Sequence, residues 1–181
     1  MIDSQGWYRL ARKVPSPHCD ARHDSEDVSL LVVHNISLPP GQFGGPYIEQ
    51  FFLGELDANQ HSFFKVIAKM RVSAHCVIRR DGEVVQFVPF HLRAWHAGVS
   101  SFAGRAKCND YSIGIELEGS DFVPYTDAQY QALTELTQAL MVRYPHITLP
   151  RITGHQYIAP LRKTDPGLVF DWRRFRAGLK S

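Results

Sequence analysis

The segment Ser112 to Glu118 narrows the fold most. Ile113, Ile115 and Leu117 alternate there with Ser112, Gly114, Glu116 and Glu118, and a period of two is the mark of a β-strand. The period then changes. Thr126 and Gln129 form a capping box, and Tyr130, Leu133, Leu136, Leu140 and Tyr144 follow at helical spacing until Pro145 stops the pattern. Leu30 to Val33 is short, continuous and half β-branched, which reads as a buried strand. Residues 74–80 and 83–88 read as a hairpin joined by Asp81-Gly82, a pair suited to a type I′ turn. Residues 46–53 predict a short helix with Pro46 in its first turn, and 37–41 a loop. A last short helix opens at Asp171 and buries Trp172 and Phe175. Strands interleaved with two or three helices predict an α/β domain built on a central mixed β-sheet flanked by helices.

Composition sets the bounds. A chain of 181 residues is long enough to close one sizeable core, so residues 1–181 are expected to form a single domain. Apolar residues at 44% and charged residues at 21% are ordinary for a globular protein and argue against disorder. A net charge of +2 without a Lys/Arg run argues against nucleic acid as a partner. Apolar runs such as 30–33 are too short to cross a membrane. The segment Met1 to Trp7 has neither a basic nor an apolar region of the kind a signal peptide needs, which predicts a cytoplasmic protein. Three cysteines (Cys19, Cys76, Cys108), with no CxxC pair, predict reduced thiols rather than a disulfide framework or a Cys-rich zinc knuckle.

Chemistry concentrates in two places. His34 follows the apolar run where that strand gives way to a Pro/Gly loop. His155, Lys163 and Asp165 fall close together, and Gly154, Pro160, Pro166 and Gly167 prevent one continuous helix. Two imidazoles and a carboxylate are enough to hold a zinc ion while leaving a position open for water. Glu116 stands on the polar face of its strand, where apolar neighbours can raise its pKa towards that of a general base. Lys163 could stabilise an oxyanion. Taken singly, each residue has a plain alternative: a histidine hydrogen-bonded at a strand end, an irregular surface loop, a solvated lysine, an exposed glutamate. Glu118 is expected to be such an exposed glutamate.

Longer words surround these residues: Pro15-Ser16-Pro17, 33–41 (VHNISLPPG), Val72-Ser73-Ala74-His75-Cys76, 93–100 (RAWHAGVS), Cys108-Asn109-Asp110, 114–119 (GIELEG) and 162–167 (RKTDPG). In this order and over nearly the whole chain, they resemble the N-acetylmuramoyl-L-alanine amidase type 2 family, which includes amidase-type phage lysozymes and the peptidoglycan recognition proteins. The resemblance is narrowest to the cytoplasmic branch that acts on 1,6-anhydro-muropeptides. It implies a peptidoglycan-recognition-protein-like fold, with His34, His155 and Asp165 as ligands of one Zn2+ per chain. It further implies Glu116 as general base and acid, and Lys163 as the group that steadies the oxyanion. Trp95 would lie against the anhydro sugar, with Asn35, Arg71 and Lys107 near the stem peptide; Trp95 as a core residue is the alternative. The implied setting is a monomer acting on a small muropeptide in cell-wall recycling, with a link to β-lactamase induction through muropeptide levels.

Departures from the wider family refine this. Many relatives carry cysteine where Asp165 stands, and a tyrosine where Ala74 precedes His75. Both differences favour the anhydro-muropeptide branch and leave proton transfer to Glu116. Some relatives carry arginine at Lys107, and a lysine cannot make the same bidentate fork. Gln156-Tyr157 replaces the usual cysteine and small polar residue. His18, His23, His61, His91 and His146 read as surface or loop residues. His75 and His96 would line or support the cleft, His75 in a structural role. The rivals are a non-catalytic peptidoglycan-binding module, marked by a missing ligand, an interaction protein regulating a polymerase, and an amidase of intact cell wall, which would need a signal peptide.

Overall fold

The computed structural model describes residues 1–180. Ten strands and five helices follow one another along the chain. The strands are β1 (Arg12–Lys13), β2 (Cys19–Ala21), β3 (Leu30–Ile36), β4 (Cys76–Ile78), β5 (Val84–Gln86), β6 (Leu92–Ala94), β7 (Ser101–Phe102), β8 (Arg105–Ala106), β9 (Ser112–Glu118) and β10 (Ile152–Gly154). The helices are α1 (Tyr47–Leu53), α2 (Phe64–Ile67), α3 (Asp127–Arg143), α4 (His155–Ile158) and α5 (Trp172–Gly178). One sheet of six strands runs in the order β1-β5-β4-β9-β3-β10. β10, β3, β9 and β4 are mutually parallel, β5 is antiparallel to β4, and β1 is parallel to β5. The sheet is therefore mixed, as the sequence predicts. No helix among the described residues is long and apolar enough to cross a membrane. The three cysteines are unpaired.

Alternation assigns the two faces. Leu31 and Val33 of β3 and Ile113, Ile115 and Leu117 of β9 pack against Leu133, Leu136 and Leu140 of α3 and Phe175 of α5. Each such side chain taken out of water contributes about 1.5–3 kcal/mol. The Thr126–Gln129 capping box is formed in both directions, so α3 starts where the sequence says it should. The opposite face divides. Leu30 and Val32 pack with Ala97, Cys108, Tyr111 and Ile158 at one end. Val77 and Val85 pack with Ile48, Phe51, Phe52 and Phe64 of α1 and α2 at the other. His34 and Glu116 stand on this face, paired across β3 and β9.

Several expectations are corrected. β3 continues to Ile36, so His34 lies inside the strand and not at its end. The hairpin turn is not a two-residue type I′ loop. Arg79 N–H donates to Glu83, Gly82 N–H donates to Arg79, and Gly82 has φ +91°, which is a three-residue loop with glycine at the left-handed position. Pro46 is the N-cap of α1 rather than its first helical residue. Asp171 caps α5, which buries Phe175 fully while Trp172 is partly covered. Glu118 is buried, at 1% exposure. β9 is a central strand covered on both faces, so its polar positions are not solvent positions. The Glu118 carboxylate instead takes bonds from Gly44 N–H at 2.7 Å, Arg79 at 3.1 Å and Arg80 N–H at 3.2 Å.

Candidate metal centre and active site

Register builds the site. His34 of β3 is directly opposite Glu116 of β9, and Gly154 of β10 is opposite Val33, so His155 comes level with His34. Three parallel strands thus deliver their functional side chains near their carboxyl ends, the side of an open α/β sheet where clefts form. Asp165 arrives from the loop after α4. Its carbonyl accepts from Gln156 N–H at 2.9 Å, and the carbonyl of Pro166 accepts from the Tyr125 hydroxyl at 2.7 Å. Gly154 makes this approach possible, since a Cβ there would lie 2.8 Å from Pro166 Cδ.

The result is a triangle of ligand atoms. His34 Nδ1 lies 3.0 Å from His155 Nδ1, and Asp165 Oδ2 lies 3.1 Å and 3.0 Å from these two nitrogens. His155 Nε2 is 3.1 Å from the carbonyl of Ala97. A carbonyl only accepts, so Nε2 carries the proton and Nδ1 presents a lone pair to the triangle. Burial pushes the His34 pKa down to about 4, against the pull of Asp165. Burial also acts to raise the pKa of Asp165, but the facing imidazoles of His155 and His34 outweigh it and hold the carboxylate well below the usual range. Neutral imidazole and ionised carboxylate are the states a metal requires of its ligands. Tetrahedral zinc at about 2.0–2.1 Å from each ligand puts the ligand atoms about 3.3 Å apart, and the observed spacing is within a few tenths of an ångström of that. The donor set fits.

Beside the triangle, Glu116 has a covered Oε2 with no hydrogen-bond partner. Burial, reinforced by the charge of Asp165 and opposed by Lys163, raises its carboxyl pKa well above the ordinary value. A carboxyl whose pKa is raised in this way is better matched to exchanging a proton with a reacting group than an ordinary carboxylate is. Lys163 is exposed at the cleft rim and its ammonium makes no ion pair among the described residues. The cleft, of about 360 Å³, is lined by His34, Asn35, Glu116, His155, Lys163 and Asp165 on one side, with Phe51, Phe63, Ile67, Met70 and Trp95 forming an apolar wall.

The expected substrate contacts separate. Asn35 lines the cleft, its amide fixed by Asp121 at 2.8 Å and the Tyr125 hydroxyl at 3.0 Å. Trp95 also lines it, partly buried and stacked on His18 at 6.0 Å, so it is a wall residue and not core. Arg71 and Lys107 are exposed and outside the cleft lining. His75 is fully buried, its Nδ1 accepting from Gly114 N–H and its Nε2 facing the Leu92 carbonyl, which is a structural role. His18, expected at the surface or in a loop, lies in the loop before β2, partly buried and stacked on Trp95. The α1–α2 wall escaped sequence reasoning because nothing local marks Phe63 or Met70 as facing a ligand. His96, in contact with His34, had a usable signal: Gly114, a lone glycine in a strand, marks a close approach.

Comparison with known proteins identifies the family. The family model described as N-acetylmuramoyl-L-alanine amidase matches residues 24–168. The chain is 64% identical to the 1,6-anhydro-N-acetylmuramyl-L-alanine amidase AmpD of Citrobacter freundii, over 98% of this chain and 94% of that protein. It is 63% identical to AmpD of Escherichia coli (strain K12), over 97% and 96% of the two chains. Its structure matches the crystal structure of a selenomethionine AmpD derivative with a TM-score of 0.96 at 64% identity, covering 99% of both chains. Family model, relatives and fold thus agree, and the chain belongs to the N-acetylmuramoyl-L-alanine amidases.

Proposed function

We propose that this chain is a zinc-dependent amidase that cleaves the bond between 1,6-anhydro-N-acetylmuramic acid and the L-alanine of the stem peptide. The observation that carries the reading is the convergence of His34 Nδ1, His155 Nδ1 and Asp165 Oδ2 beside the unpaired Oε2 of Glu116. The relatives named AmpD support the substrate, as does the complex of Escherichia coli AmiD with anhydro-N-acetylmuramic acid-L-Ala-D-γ-Glu-L-Lys. That structure matches this one with a TM-score of 0.61 at 28% identity and is covered over 65% of its chain. The whole chain acts as one amidase domain and as a monomer in the cytoplasm, in peptidoglycan recycling. By setting the level of anhydro-muropeptides it also bears on β-lactamase induction.

His34, His155 and Asp165 would hold the ion, which when bound would supply Lewis acidity and lower the pKa of water at the site to roughly 7. Glu116 takes the proton of the attacking water and returns it to the departing amine of L-alanine. Its unpaired Oε2 is free for this transfer. The Lys163 ammonium meets the negative charge that develops on the amide oxygen. Trp95 offers a flat apolar surface to the C–H face of the sugar, and the Asn35 amide, immobilised by Asp121 and Tyr125, is placed for the peptide. All of the ligands are present, which disfavours a non-catalytic binding module. Mass spectrometry of the products from anhydro-muropeptide and ordinary muropeptide, with and without a chelator, tests the reading. Free stem peptide from the anhydro substrate, lost on chelation and restored by zinc, is expected. Unchanged cleavage in the presence of chelator refutes the zinc requirement, and no cleavage refutes the substrate.

A further inference from the structure

His34 has a second nitrogen, and the metal reading leaves it unexplained. Its Nε2 lies 2.9 Å from Nδ1 of His96, with the two rings edge to face at 88°. The far nitrogen of His96, Nε2, is 3.1 Å from the hydroxyl of Ser112, which is fully buried in β9. The backbone beneath this ring is Gly114. A Cβ there would stand 2.4 Å from His96 Cγ and 2.5 Å from its Nδ1, so the ring occupies the space that any other residue would fill. The loop carrying His96 is pinned separately, because Asn109 Oδ1 accepts from the backbone N–H groups of His96 and Ala97 at 3.2 Å and 2.8 Å.

We propose that His96 is a positioning residue of the metal centre: by accepting from His34 Nε2–H it commits His34 to bind metal through Nδ1, with Ser112 and Gly114 holding the His96 ring in place. This rests on the ligand assignment made under the proposed function. One proton sits between His34 Nε2 and His96 Nδ1. With it on His34, Nδ1 is a lone pair aimed at the triangle. With it on His96, a neutral His34 must carry its proton on Nδ1, facing His155 and Asp165, and no ligand atom remains. The Ser112 hydroxyl, which can accept or donate, accommodates this state by accepting from His96 Nε2–H, which leaves His96 Nδ1 as the acceptor for His34. Partners of this kind fix the tautomer and ring angle of metal-bound histidines, and carboxylates often serve. Here the partner is an uncharged imidazole, which orients the ligand without adding another negative charge beside Glu116.

The test compares His96→Leu with His96→Asn, whose Oδ1 can replace Nδ1 as acceptor. Zinc affinity of the purified proteins is measured by competition with a chromophoric chelator. His34 protonation is read from long-range 15N–1H spectra of the zinc-loaded enzyme. His96→Leu should bind zinc about 10–100-fold more weakly, and His96→Asn should recover most of that loss. In the wild type, His34 should carry its proton on Nε2. Wild-type zinc affinity in His96→Leu overturns the proposal, as does His34 protonated on Nδ1 in the wild type, a result that needs no variant to fold. A wild type that takes up no zinc at all instead removes the ligand assignment itself, and the proposal with it.

Discussion

Glu116 and Glu118 occupy neighbouring positions on one face of β9, yet replacing them should move stability in opposite directions. Glu118 is 1% exposed and accepts from the Arg79 guanidinium and the N–H groups of Gly44 and Arg80. Glu118→Ala removes the acceptor for both backbone donors and one partner of a buried ion pair, a loss that runs to about 3–5 kcal/mol. Arg79 keeps Glu49 at 2.9 Å and the carbonyl of Gly45 at 3.2 Å, so its charge is not stranded and the lower end, about 3 kcal/mol, is expected. For a domain of this size that corresponds to a fall of about 6–12 °C in Tm. Glu116 is the reverse case. Its Oε2 has no hydrogen-bond partner, and burial raises its carboxyl pKa well above the ordinary 4.5, so the native state keeps this proton to higher pH than the unfolded state does. Stability of the metal-free protein therefore falls as pH rises beyond that point. Glu116→Gln removes the penalty, so it should stabilise the metal-free protein at neutral pH, and the gain should vanish below about pH 4. Urea unfolding in the presence of chelator, at neutral and acid pH, measures both. A cost below about 0.5 kcal/mol for Glu118→Ala, or an equal destabilisation by Glu116→Gln, would refute the reasoning.

Further outcomes concern the reaction. Lys163→Ala should lower kcat by about 10²–10³-fold while zinc content, read by elemental analysis, stays at the wild-type level; loss of metal in that variant would make Lys163 a structural support of the centre. Trp95→Ala should raise KM several times more than it lowers kcat, because in the proposed complex the indole would meet a sugar face that changes little during the reaction. A pure kcat defect would place Trp95 in the chemistry instead.

Sequence and structure agree where the signal is local. The capping box of Thr126 and Gln129 and the stripe from Leu133 to Leu140 locate α3 because each residue contacts neighbours a turn away. The alternation of β9 was equally plain, but alternation separates two faces without saying what covers either. Alternation alone therefore leaves Glu118 solvent-facing, while the parallel pairing of β9 with β3 and β4 and the arginines from the hairpin bury it. The turn at Asp81-Gly82 was ambiguous in kind, since a left-handed glycine serves two-residue and three-residue loops alike. The residue types of the candidate site could be picked out, whereas their convergence could not. It depends on β10 pairing with β3, which joins residues 121 positions apart, as His34 and His155 are. No local pattern encodes that distance, and only the near full-length family resemblance stood in for it.

The place of β10 in the sheet has a mechanical consequence. It is an edge strand of three residues, paired among the described residues with Leu31, Val32 and Val33 of β3. Immediately beyond it come His155 and the loop to Asp165, while His34 belongs to the next strand inward. An ion held by all three, as proposed, would be a fastener between a weakly secured margin and the interior of the sheet. Loss of the ion would then be felt in the backbone as well as in catalysis. The amides of β10 and the Asp165 loop would exchange with solvent sooner, while those of β9 and α3, deep in the core, kept their protection.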